Sequence, residues 1–119
     1  MTLLGFFAGA VAAGQGPAPP APPPDQPGTL TEQVTQSGRD YNFLITVSDP
    51  DGIRSVDAAS LTARDGQVAD ITSSWIRADA NTFTHTDSRR NNRWRSGTAS
   101  VTYTDANGVQ ATLTDTWSI

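Results

Sequence analysis

Cysteine is absent from the 119 residues, so the chain has neither disulfides nor thiolate metal sites to hold its fold. Lysine is absent as well, and all eight basic residues are arginine. Glutamate occurs once, at Glu32, against eleven aspartates, and there is a single histidine, His85. One histidine and no cysteine leave no His/Cys metal cluster, and no Gly-rich phosphate loop or other catalytic signature is present. A non-enzymatic protein without a cofactor is therefore expected. The shortage of Lys and Glu removes strong helix formers, while abundant threonine and turn residues favour β structure. The net charge of −4 argues against a nucleic-acid footprint spread over the whole surface.

Long apolar runs are scarce too. The one candidate is residues 1–14, MTLLGFFAGAVAAG, in which only Thr2 is polar. About 13 apolar positions cannot cross a hydrocarbon core of roughly 30 Å as a helix, so no membrane span is expected. Ala10-Val11-Ala12 imitates a signal-peptide cleavage site, but no Lys or Arg precedes the apolar run. Residues 15–28 hold seven of the eight prolines, an extended spacer of polyproline type. Residues 1–28 thus form an arm, with Leu3, Leu4, Phe6, Phe7, Pro19, Pro20 and Pro23 as its expected partner contacts.

From residue 29 to 119 the pattern becomes short alternating runs between turn clusters, the signature of an antiparallel all-β domain. In ASVTYTDANGVQATLTDTWSI, Ala99, Val101 and Tyr103 share one face, and Asn107-Gly108 marks a hairpin. Val109, Ala111, Leu113, Trp117 and Ile119 share a face on the return. Asp115 falls on that apolar phase, where a bulge or a strand end reaching water is expected. Tyr41, Phe43, Ile45 and Val47 form another apolar face that stops at DPDG (49–52). Weaker strands are expected at 30–34, 56–63, 69–76 and 81–86, punctuated by RDGQ (64–67) and ADAN (78–81). Seven strands at this spacing predict a two-sheet sandwich.

FLITVSDPDGI resembles strand B and the following turn of bacterial immunoglobulin-like modules. The segment holding Tyr103 and Asp105–Gly108, with its threonine-rich last strand, resembles their closing hairpin. The resemblance implies an all-β, immunoglobulin-like antiparallel β-sandwich with an extended N-terminal arm. It is to a family common in bacterial surface proteins and in bacteriophage virions, as capsid decoration (cement) and tail-associated proteins. Trp75 is a candidate for the central packing tryptophan of such domains.

Three polar groups invite chemistry. Asp49, Asp51, Asp105 and Asn107 are residue types that ligate calcium, but they are also what tight turns require, and turn chemistry is the expectation. His85 and Asp87 share a strand face with no nucleophile motif beside them, and are expected to be exposed strand polarity. Arg89, Arg90, Arg93 and Arg95 surround Trp94 within seven residues, a composition suited to docking. Protein docking by this loop is expected over nucleic acid, because only one aromatic is offered for stacking. Taken with the resemblance, these features imply a structural virion protein on a capsid surface or tail. Its partners would be the major capsid protein, another virion protein, or further copies of itself. The alternative is an exported module of the bacterial surface or periplasm, with residues 1–12 removed as a signal.

Overall fold

The computed structural model describes residues 24–119; the seven arm contacts, Leu3 through Pro23, lie outside that range. Eight strands follow in chain order: β1 (Thr29–Ser37), β2 (Asp40–Ser48), β3 (Ile53–Ala63), β4 (Val68–Asp70), β5 (Ile76–Asp79), β6 (Thr82–Arg90), β7 (Ser96–Asp105) and β8 (Gln110–Ser118). One turn of 3₁₀ helix, Asn92–Arg95, joins β6 to β7. The strands form two four-stranded antiparallel sheets, β1-β2-β6-β5 and β4-β3-β7-β8. This is the immunoglobulin arrangement, A-B-E-D against C-F-G, with one extra strand beside C. The chain is an all-β, immunoglobulin-like sandwich.

The alternation in β2 supplies one wall of the core: Tyr41, Phe43, Ile45 and Val47 are buried between exposed or half-buried neighbours. The facing wall comes from Ala59 and Leu61 of β3 and Ala99, Val101 and Tyr103 of β7. Each large side chain withdrawn from water contributes about 1.5–3 kcal/mol. Phe43 occupies the central aromatic position, meeting Trp117 edge to face at 5.0 Å between ring centres and Trp94 at 6.5 Å. Trp75 does not take that place. It lies half-buried on the crossing between the sheets, donates Nε1–H to the Ile71 carbonyl at 2.7 Å and stacks on His85.

Both aspartate-rich turns are built as the residue types require. Asp49 Oδ1 accepts the Asp51 amide at 2.8 Å, and Asp105 Oδ1 accepts the amides of Asn107 and Val109, each at 2.9 Å. Gly108 supplies the positive φ of 87° that closes the β7–β8 hairpin.

Four details differ from the sequence reading. The run 69–76 is not one strand. It splits into β4 and β5 in opposite sheets, with Ser74 at φ 69° on the crossing between them. Strand β6 reaches Arg90, four residues further than its polarity suggests. His85 is not exposed: its register opposite Ile45 turns it inward, and Trp75 covers it. Asp115 sits in an unbroken pairing with Ala99, with neither bulge nor strand end.

Candidate functional site

Antiparallel order places alternate turns at opposite ends of the sandwich. At one end lie the chain entry at residues 24–28 and the β2–β3, β5–β6 and β7–β8 turns. At the other lie the β1–β2 and β3–β4 turns, the β6–β7 connection and the end of β8. Backbone bonds tie each end together. At the far end Asn91 N–H donates to Arg39 O at 3.0 Å, Arg64 N–H to Ser96 O at 3.0 Å and Ile119 N–H to Arg95 O at 3.1 Å.

That far end collects six of the eight arginines: Arg39, Arg64, Arg89, Arg90, Arg93 and Arg95. Three aspartates pair with them. Arg89 Nε donates to Asp87 Oδ2 at 2.7 Å, Arg93 Nε meets Asp65 at 3.3 Å, and Arg90 reaches Asp40 at 4.0 Å. Arg39, Arg64 and Arg95 are exposed and make no ion pair among the described residues. In a chain of net charge −4, this end is a local basic surface.

Its local folding has a clear cause. Asn91, at φ 107°, caps the 3₁₀ turn by accepting the Arg93 amide on Oδ1 at 3.2 Å. The turn drives Trp94 into the core, where it is 4% exposed and its carbonyl accepts Trp117 Nε1–H at 2.9 Å. Trp94 therefore anchors the segment from beneath and is not an exposed contact. The segment is also not wholly a loop: Arg89 and Arg90 end β6, while Arg93 and Arg95 ride the helical turn. Arg89 lies over the Trp94 ring at 5.6 Å, holding one guanidinium flat against the pole. A shallow depression of about 420 Å³ opens among Gln67, Ser88, Asn91, Arg89, Arg90 and Arg93, with Trp94 also in its lining.

The contributions of Arg39 and Arg64 are the part that sequence spacing hides. Their turn positions, SGRD and RDGQ, would reveal them once the strand order is known, because every second turn of such a sandwich shares an end.

The entry end is acidic. Asp49 is buried and accepts the Tyr103 hydroxyl on Oδ2 at 2.6 Å; burial, then this carboxylate, push the Tyr103 phenol well above its ordinary range. Carboxyl oxygens of Asp25, Asp51 and Asp105 lie within 4.8 Å of one another. Oxygen donors suit hard cations, but two of these three side chains already serve backbone amides, of Gln26 and of the β7–β8 turn. Partial desolvation, then hydrogen bonding to Asp51 and Asp105, raise Asp25 to about 6 although its residue is exposed. A carboxyl titration followed by NMR should find Asp25 near pH 6, and Asp51→Asn should bring it back towards the ordinary aspartate range. A depression of about 550 Å³ also lies at this end, between Pro27, Pro50 and Asn81, away from the arginines.

Comparison with protein-family models, curated proteins and solved structures finds no match to this chain. Among the described residues no helix is long and apolar enough to cross a membrane. Functional argument therefore rests on the two ends of the sandwich themselves.

Proposed function

We propose that this chain is a non-enzymatic structural protein of a virion, a bacteriophage capsid decoration (cement) protein held by residues 1–28. A tail or neck position is the other placement of the same design. The observation that carries the reading is the separation of the two ends: the proline-rich spacer enters at one, and the arginine surface is assembled at the other. A protein so built can hold one partner through its arm and meet a second through its far end. The arm's partner in this reading is the major capsid protein, and many symmetry-related copies make a weak single contact sufficient.

The second partner is an acidic protein surface. Forked guanidinium groups suit discrete carboxylates. Asp40, Asp65 and Asp87, interleaved with the arginines, oppose a continuous polyanion such as nucleic acid. The two tryptophans at this end, Trp94 and Trp117, are buried and offer no stacking platform.

Deleting residues 1–14 tests the arm. Purified particles should lose the protein, and undiminished occupancy would count decisively against anchoring. The Ala10-Val11-Ala12 site favours a second reading, an exported surface module. Mass spectrometry of the mature chain separates the two, since loss of the first dozen residues leaves no apolar arm to anchor.

A further inference from the structure

We propose that Glu32 and Asp115 form a one-proton latch that holds β1, the strand continuing the spacer, against β8. The two strands belong to different sheets and flank the same open side of the sandwich, in contact with each other. Glu32 stands opposite Ile45 and Asp115 opposite Ala99, both wholly buried, so the two acids share the inner phase at the open side, Glu32 half-buried and Asp115 exposed to water. They are the only charged residues of their strands.

Glu32 Oε2 has no exposed surface and no hydrogen-bond donor among the described residues. Across the gap the neighbouring acid is Asp115, whose carboxyl, after burial itself, raises the Glu32 pKa by hydrogen bonding and by like charge. Two carboxylates are both acceptors, so the contact becomes a bond only when one carries a proton. Among the described residues neither carboxyl has an ion-pair partner. The inner residues of β2 are Tyr41, Phe43, Ile45 and Val47; those of β7 are Ala99, Val101 and Tyr103; β8 adds Ala111, Leu113 and Trp117. The two tyrosines are committed elsewhere, Tyr41 to Asn92 and Tyr103 to Asp49. On β6, Arg89 and His85 share the inner phase: Arg89 is paired to Asp87, and His85, beyond Ile45 on the Glu32 rung, stacks on Trp75 with Nδ1 3.3 Å from the Ser74 carbonyl.

Burial, reinforced by Asp115, accordingly lifts Glu32 to about 8. The folded state holds this proton more tightly than the unfolded chain does. The latch is therefore fully made below about pH 4.5, weakens as pH rises, and is lost above about 8. Charged residues pointing inward on edge strands also guard an edge against pairing with other chains. Here that guard is coupled to a proton and placed on the strand that bears the stalk.

Glu32→Gln supplies a permanent donor at nearly constant shape. At pH 8.5 its melting temperature should exceed that of the parent by roughly 5–10 °C, with the difference vanishing near pH 4.5. At pH 8.5, β1 amides should exchange about tenfold faster in the parent than in Glu32→Gln, while β7 amides keep a common rate. In Asp115→Asn, the Glu32 carboxyl followed by NMR should titrate at least one unit lower than in the parent. A parent Glu32 titrating at 4–5, equal β1 exchange in the two proteins, or an unmoved titration in Asp115→Asn would each overturn the latch.

Discussion

Trp94→Ala should lower the melting temperature by roughly 15–30 °C, the counterpart of about 3–5 kcal/mol for emptying a buried tryptophan site. The side chain is nearly inaccessible, meets Phe43 edge to face and lies beneath Arg89. Its removal leaves a cavity at the floor of the arginine end and frees the 3₁₀ turn that presents Arg93 and Arg95. Thermal unfolding measures the first effect. The second appears as loss of ordered NMR signals for residues 89–95 under conditions where β2 and β7 remain folded. Trp94→Phe keeps an aromatic floor and should recover more than half of the lost stability. A Trp94→Ala protein as stable as the parent would mean that the ring is not packed as described.

Gly97→Ala should cost about 3 kcal/mol through overpacking, roughly 12–24 °C in melting temperature. Gly97 pairs directly with Trp117 across the β7–β8 ladder and with Ala63 across β3 and β7. A Cβ there would overlap the Thr62 carbonyl and come within 2.6 Å of the Trp117 ring. The ring is fixed by its hydrogen bond to the Trp94 carbonyl, and the carbonyl belongs to a paired strand. Neither neighbour can yield cheaply. The glycine is there so that a tryptophan can lie over the strand, a use of small residues beside aromatics that pattern reading of TASVTY misses. Pairing Gly97→Ala with Trp117→Phe should return part of the loss, because the indole is one of the two obstructions.

Those two residues show where the sequence was informative and where it fell silent. DPDG and DANG announced their turns because Asp and Gly at those offsets perform local chemistry, an amide caught by a carboxylate and a positive φ. The face from Tyr41 to Val47 was equally plain, since each strand carries its own alternation. The crossing at 71–75 was not, because ADITSSWI carries no Gly or Pro to mark a break and its division between sheets is a tertiary decision. Polarity concealed the end of β6: Asp87 and Arg89 occupy inner positions but satisfy one another. Asp115 read as a flaw in β8 because its explanation, Glu32, lies 83 positions earlier. At the candidate site, clustering exposed Arg89 to Arg95, whereas Arg39 and Arg64 join them only through strand order.

One topological fact carries a mechanical consequence. The spacer runs into β1 at the acidic end, and β8 runs out at the arginine end, with the two strands side by side and pointing the same way. Tension applied between the arm and the far end therefore pulls β1 lengthwise. The nine residue pairs that join β1 to β2 are then loaded together, in shear, instead of opening one after another like a zip. A sandwich tugged from its tip would resist in its strongest direction.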